Sequence, residues 1–243
     1  MKLLVWDFNG TLGYRDDHWR GAIQDLLTAE APEFATLPAQ LPPFLRSSFP
    51  WRTPELAHPH LNTAALWWSA LEPAFERTFR SLSVDPARAE RFARGVRRYY
   101  CASHRWHLYP DTLPALDALS AQGWHHVLLT NHVPELPKIL RGLGLAGRFD
   151  RIVNSATSGY EKPHPEAFAH AAEGLGEVED IWMIGDSITS DFEGAKRAGW
   201  NAVLVRQEPK HSVPCVTNLT DLVTFLATPA ATPSNWAVAL LHR

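Results

Sequence analysis

Cysteine is scarce in this chain. Only Cys101 and Cys215 occur, with no metal-ligand spacing around them, so they read as two unpaired thiols in a reducing compartment. Charge of one sign is also missing. A formal net charge of -3 leaves no electrostatic footprint for nucleic acid or an acidic membrane surface. Long apolar runs are absent too: the stretch after Met1-Lys2 is interrupted by Asp7 within a few residues, too short for a signal peptide or a membrane span. The expectation is a cytoplasmic protein that meets neither membrane nor nucleic acid.

What is present is an ordinary globular composition, 45% apolar and 20% charged, over a length that suits one large domain or one domain carrying an inserted one. From about residue 108 the chain alternates regularly. Expected strands are His126 to Thr130, Phe149 to Asn154, Ile181 to Ile184 and Ala202 to Val205. Expected helices are Pro114 to Gln122, Glu135 to Leu143, Pro165 to Glu173, Ser190 to Ala198 and Leu222 to Ala227, most of them stopped by glycine. Short apolar strands alternating with helices predict an α/β fold with a parallel sheet covered on both faces. Leu3 to Trp6 has the same strand character but lies far upstream.

Between Tyr14 and His104 the pattern changes to proline-rich segments and helical stretches around Leu61 to Phe79 and Pro86 to Tyr100, with no convincing strand. This predicts a mostly helical insertion over 14–104, between a core formed by 1–13 and 105–227. Residues 228–243 read as a linker and a tail that docks through Trp236.

Ligands of open parallel sheets collect at the carboxyl ends of the strands. The polar residues there are Asp7 and Asn9, Thr130 and Asn131, Lys162, and Asp186 and Asp191. Each alone has an ordinary explanation: a turn, a helix cap, a solvated lysine, a carboxylate on a helix dipole. Together, at successive strand ends in chain order, they are an improbable coincidence. Acids, a hydroxyl and a lysine on one rim suit phosphoryl chemistry with a hard cation such as Mg²⁺.

Four strings carry a resemblance: Asp7-Phe8-Asn9-Gly10-Thr11, Leu128-Leu129-Thr130-Asn131, Gly159-Tyr160-Glu161-Lys162-Pro163, and Gly185-Asp186-Ser187 followed by Asp191. In this order they resemble the haloacid dehalogenase superfamily, specifically its phosphatase-like branch with a helical cap. The resemblance implies a three-layer Rossmann-like α/β core, with 14–104 as the cap. It implies that Asp7 attacks phosphorus and forms an acyl-phosphate that water hydrolyses. It further implies a Mg²⁺ held by Asp7, the main chain of Asn9, Asp186 and Asp191, with Thr130, Asn131 and Lys162 on the phosphoryl oxygens of a small phosphorylated substrate.

Asn9 stands where the family's phosphatases carry a second Asp, the group that protonates the leaving alkoxide and deprotonates water. Its absence implies slow turnover, or leaving groups such as acyl or aryl phosphates that need little protonation. Two alternatives remain open. One is a phospho-ligand-binding protein with little turnover. The other is a 2-haloacid dehalogenase, against which the retained Asp186 speaks, since that chemistry needs no metal. A phosphonatase would want a cap lysine, and 14–104 contains none. Substrate contacts in the cap are expected from the cations nearest its two hinges, Arg15, His18, His104 and Arg105. Trp67-Trp68 reads as core packing, and Thr11 as a residue that helps hold its loop.

Overall fold

The computed structural model describes residues 1–36, 41–208 and 213–227; the expected linker and docked tail, 228–243, lie outside the described residues. Eight strands are found among the described residues: β1 (Lys2–Trp6), β2 (Gly13–Arg15), β3 (Trp106–Leu108), β4 (Trp124–Thr130), β5 (Arg151–Asn154), β6 (Asp180–Gly185), β7 (Asn201–Val205) and β8 (Cys215–Val216). Six form one sheet in the order β5-β4-β1-β6-β7-β8, every pair parallel.

β1 sits in the middle because its sequence suits burial on both faces. Leu3 and Val5 point into one apolar layer with Val127, Leu129 and Met183, while Leu4 and Trp6 point into the other with Leu128 and Ile184. The first layer is covered by α8 (Pro165–Ala172) and α9 (Gly194–Arg197), which contribute Phe168 and Ala195. The second is covered by α5 (Thr112–Ala121), α6 (Leu136–Gly142) and α10 (Leu219–Ala227), through residues such as Leu116, Ile139 and Leu222. The expected strands and helices of the core are all present, shifted by up to three residues at their ends. One differs in kind: the helix expected from Ser190 begins as a π-helical turn, Ile188–Glu193.

The chain leaves the sheet through β2 and returns through β3, which pair antiparallel with Gly13 opposite Leu108 and Arg15 opposite Trp106. The sequence did not indicate either three-residue strand. Between them lie α1 (His18–Glu30), α2 (Pro43–Ser47), α3 (Ala64–Ser81) and α4 (Pro86–Tyr100). α4 forms where it does because the Asp85 carboxylate accepts the Arg88 N–H at 3.1 Å, Pro86 fills the first turn, and Phe92, Val96 and Tyr100 repeat on one buried face. Phe92 meets Phe79 of α3 edge-on at 5.5 Å. Trp67 and Trp68 of α3 are buried, as expected for core residues.

The sheet order places a topological switch between β1 and β6. The chain runs from β1 to β4 on one side and from β6 to β7 on the other, so the loops after β1 and β6 diverge and leave a crevice.

Candidate active site

That crevice is where β1 delivers Asp7 and β6 delivers Asp186. Asp7 is nearly buried, and its Oδ1 accepts two bonds, from Thr130 Oγ1 at the end of β4 at 2.8 Å and from Lys162 Nζ at 2.8 Å. Lys162 Nζ also donates to Asp191 Oδ1 at 2.6 Å, and Asp191 Oδ2 accepts the Ser187 N–H at 3.0 Å. The wide π-helical turn carries Asp191 to this position. Such turns insert a residue in the helix and commonly re-aim side chains at functional sites.

Carboxylate oxygens of Asp7, Asp186 and Asp191 lie within 4.8 Å of one another. Two glycines allow this packing. Gly10 has a left-handed φ of +88°, and a Cβ there would stand 2.5 Å from Asp186 Oδ2; a Cβ at Gly185 would overlap the Asp191 carboxylate. Among the described residues Lys162 is the cation bonded to Asp7 and Asp191, and the excess negative charge is visible in the chemistry of the cluster. Burial, then the Asp7 and Asp191 carboxylates, push the Asp186 carboxyl up to about 7. Burial raises Asp191 as well, against the pull of Lys162. Lys162 itself is held above its ordinary value, because Asp191 and Asp7 outweigh its complete desolvation. Three converging hard oxygen donors, with more negative charge than the neighbouring lysine neutralises, could hold a hard cation.

Asn9 lines the same cavity, and its Oδ1 is buried without a hydrogen-bond partner among the described residues. The side chain of Asn131 does something the sequence did not indicate. Its Nδ2 donates to the Lys162 carbonyl at 2.9 Å and its Oδ1 accepts the Lys162 N–H at 2.7 Å, so it holds the lysine loop in place. On the far side of that loop, His58 Nε2 meets the buried Glu161 Oε1 at 3.1 Å, and the His58 N–H donates to the Gly159 carbonyl at 2.8 Å. These bonds dock the helical segment against the residues next to Lys162. Thr11 acts through its carbonyl, which accepts from Arg206, while its own buried hydroxyl has no partner among the described residues.

Three of the expected substrate contacts, Arg15, His104 and Arg105, do not line the cavity. Arg15 is 3% exposed and does not line the cavity: its guanidinium donates to Asp25 at 2.6 Å and to the Asp16 and His18 carbonyls at 3.0 Å. Arg105 pairs with the same Asp25, so both hinge arginines clamp β2 and β3 to α1. His104 is exposed and lies outside the cavity lining. His18 does line the cavity, and burial together with Arg15 lowers it to about 4, which keeps it neutral. The cavity, about 410 Å³, has further walls that the sequence did not single out: Trp19, Phe49, Trp51, Tyr100, His132, Arg46 and Arg52. Arg46 and Arg52 stand among many cations of residues 14–104, with nothing in their spacing alone to select them.

A family model described as haloacid dehalogenase-like hydrolase matches residues 1–199. The chain belongs to that family. Among relatives of this HAD-like hydrolase, the phosphoserine phosphatase of Thermus thermophilus is 31% identical over 225 residues, covering 84% of this chain and 88% of that protein. The human haloacid dehalogenase-like hydrolase domain-containing protein 3 is 26% identical, covering 84% and 82%. Among solved structures, a 2-haloacid dehalogenase from Pseudomonas syringae pv. Tomato DC3000 is similar with a TM-score of 0.65 and 22% identity, covering 93% of this chain and 98% of that one. The HAD-hydrolase YfnB of Bacillus subtilis, solved with magnesium, reaches a TM-score of 0.64 at 21% identity, with the same coverage. These structural likenesses establish the α/β fold of a HAD-type hydrolase.

Proposed function

We propose that this HAD-like hydrolase is a Mg²⁺-dependent phosphatase acting on small phosphate esters or acyl phosphates through an aspartyl-phosphate on Asp7. The observation that carries the reading is the Asp7 carboxylate at the end of the central strand, tied through one oxygen to Thr130 and Lys162 and flanked by Asp186 and Asp191. The phosphatase names among its relatives, phosphoserine phosphatase and phosphoglycolate phosphatase, support the same chemistry. In this reading residues 14–104 are the cap over the site. A cytoplasmic location fits two buried, free cysteines.

Asp7, Asp186, Asp191 and the main chain of Asn9 would hold the cation, which supplies charge neutralisation to the phosphoryl oxygens. Everything else falls to the chain. Thr130 and Lys162 fix the rotamer of Asp7 through Oδ1, and Oδ2 accepts no hydrogen bond among the described residues. A carboxylate oxygen attacks phosphorus as the ester P–O bond breaks; water then attacks the phosphorus of the aspartyl-phosphate, releasing phosphate and restoring Asp7. Lys162 places its ammonium where negative charge concentrates in both transition states. Asn9 can neither give a proton to the leaving oxygen nor take one from water. A positioned general acid/base contributes on the order of 10²–10⁴-fold. Turnover is therefore slow on alkyl esters and spared on aryl and acyl phosphates.

A 2-haloacid dehalogenase reading has the structural neighbours for it, but those likenesses carry the fold alone, and that chemistry has no use for the third carboxylate of the cluster. The test is a panel of p-nitrophenyl phosphate, acetyl phosphate, an alkyl phosphate and 2-chloropropionate with Mg²⁺. Phosphate release from the first two is expected. Chloride release without phosphate release contradicts the proposal, and no turnover at all favours a phospho-ligand-binding protein.

A further inference from the structure

The loop that carries Lys162 is gripped from two sides. From the core, the Asn131 side chain meets both the N–H and the carbonyl of Lys162, at 2.7 and 2.9 Å. The second grip comes from the helical segment. There the His58 N–H donates to the Gly159 carbonyl at 2.8 Å, and Pro59 packs so closely that a Cβ at Gly159 would stand 2.6 Å from the Pro59 Cα. His58 Nε2 then lies 3.1 Å from Oε1 of Glu161, a residue 103 positions away in the chain and bonded directly to Lys162. The Glu161 carbonyl accepts the His164 N–H at 2.7 Å, which closes the turn around Lys162.

The His58–Glu161 pair is deep, with His58 6% exposed and Glu161 fully buried. It is a poor device for stability. Neither His58 Nδ1 nor Glu161 Oε2 has a hydrogen-bond partner among the described residues, and burial raises the Glu161 carboxyl against the pull of His58. Buried pairs of acid and base repay little of their desolvation cost, and apolar residues of similar volume often stabilise a fold as well or better. What such a pair supplies is one defined geometry, and here that geometry sits one peptide bond from the lysine of the site.

Position matters at Lys162. Its ammonium ends a flexible four-carbon stem, is almost completely buried, and is held between Asp7 Oδ1 at 2.8 Å and Asp191 Oδ1 at 2.6 Å. A displacement of about 1 Å in such a group can cost on the order of 10²-fold in rate. The stem cannot correct for a loop that shifts, because both of its partners are fixed to other strand ends.

We propose that His58 and Glu161 are positioning residues, a pair that sets the loop backbone so that the Lys162 ammonium meets the phosphoryl oxygens in the transition state. Neither residue touches the substrate or the cation. The inference rests on the phosphatase reading of Asp7 and adds that the lysine depends on a residue of the helical segment for its place.

The test separates positioning from stability. kcat and KM for p-nitrophenyl phosphate with Mg²⁺, and urea unfolding, are measured in wild type, His58→Gln, His58→Leu, the apolar pair His58→Leu with Glu161→Met, and Arg97→Gln. Arg97 donates to Glu135 at 2.6 Å, a second tie between the helical segment and the core that bypasses the lysine loop, so Arg97→Gln reports on docking alone. The apolar pair is expected to keep the stability of wild type and to lose about 10- to 100-fold in kcat, with KM within about twofold. His58→Gln, whose amide nitrogen can stand where Nε2 does, is expected to recover most of that loss, and Arg97→Gln to keep its kcat. Should the apolar pair not fold, His58→Leu is judged by the same kinetic criteria. The proposal is overturned if kcat stays within about threefold of wild type, if the loss falls on KM instead, if His58→Gln is no better than His58→Leu, or if Arg97→Gln loses kcat in parallel. If wild type hydrolyses no ester, the phosphatase reading fails separately. Calorimetric binding of orthovanadate with Mg²⁺, a pentacoordinate mimic, then decides the pair: binding weakened about tenfold or more in His58→Leu and restored in His58→Gln supports it, and binding unchanged or absent overturns it.

Discussion

Replacing Asn9 by Asp should raise turnover on alkyl phosphates. The Asn9 side chain makes no hydrogen bond with a described residue, and its Oδ1 is buried and unpartnered, so the exchange of an amide nitrogen for oxygen breaks no described contact. The ionisation of the new carboxyl follows from its neighbours. In the same cavity, burial and the charges of Asp7 and Asp191 already lift Asp186 from 3.8 to about 7. A fourth carboxyl in this cavity meets the same burial and the same neighbouring charges, which act on it in the same upward direction. A positioned acid of this kind is worth on the order of 10²–10⁴-fold where an alkoxide must leave, and little where the leaving group is a stable aryloxide. The assay is kcat/KM for 2-hydroxyethyl phosphate and p-nitrophenyl phosphate in wild type and Asn9→Asp. A rise of about a hundredfold or more is expected on the alkyl ester, with the aryl ester changed by only a few-fold. Unchanged or slower alkyl turnover, or an equal rise on both, would refute the account of Asn9.

Two further outcomes follow from the structure. Mg²⁺ should stabilise the protein, by about 2.7 kcal/mol at a hundred times its Kd, which is a Tm rise of roughly 5–10 °C for a chain of this size; a scanning-fluorimetry titration showing no rise, or the same rise in Asp186→Asn, would count against the carboxylate site. Acid should destabilise the fold through buried histidines. His126 accepts from Trp6 Nε1 on Nδ1 at 3.0 Å, so protonation breaks that bond, and burial lowers it to about 4; burial lowers His132 to about 3. Both pKa values are depressed in the folded state, so each histidine contributes stability that falls as pH drops below about 6.5, by about 2 kcal/mol per histidine at pH 5. Asp186, raised to about 7, contributes the opposite slope, so the check is the difference between wild type and His126→Gln in urea unfolding from pH 8 to pH 5: the variant is expected to lose less stability than wild type, and identical pH dependences would contradict the account.

The core was legible because its strands are short apolar runs closed by glycine-ended helices, and because the site residues fall just beyond those strands. Asp7, Thr130, Lys162, Asp186 and Asp191 are brought together as their positions implied. β2 and β3 escaped notice because three-residue strands leave no periodicity. The contacts within residues 14–104 were harder for a different reason. Arg15 and Arg105 stand at the hinges, where proximity to the site suggested substrate; a single acid on α1, Asp25, satisfies both, and nothing in the local pattern around Asp25 announces a partner ten residues one way and eighty the other.

The most direct test of the central claim is the rate of phosphate release from p-nitrophenyl phosphate with Mg²⁺, measured side by side in wild type and Asp7→Asn. The account predicts clear turnover by wild type and none above background in Asp7→Asn. Substantial activity in Asp7→Asn, or a wild-type protein that releases no phosphate, would contradict it.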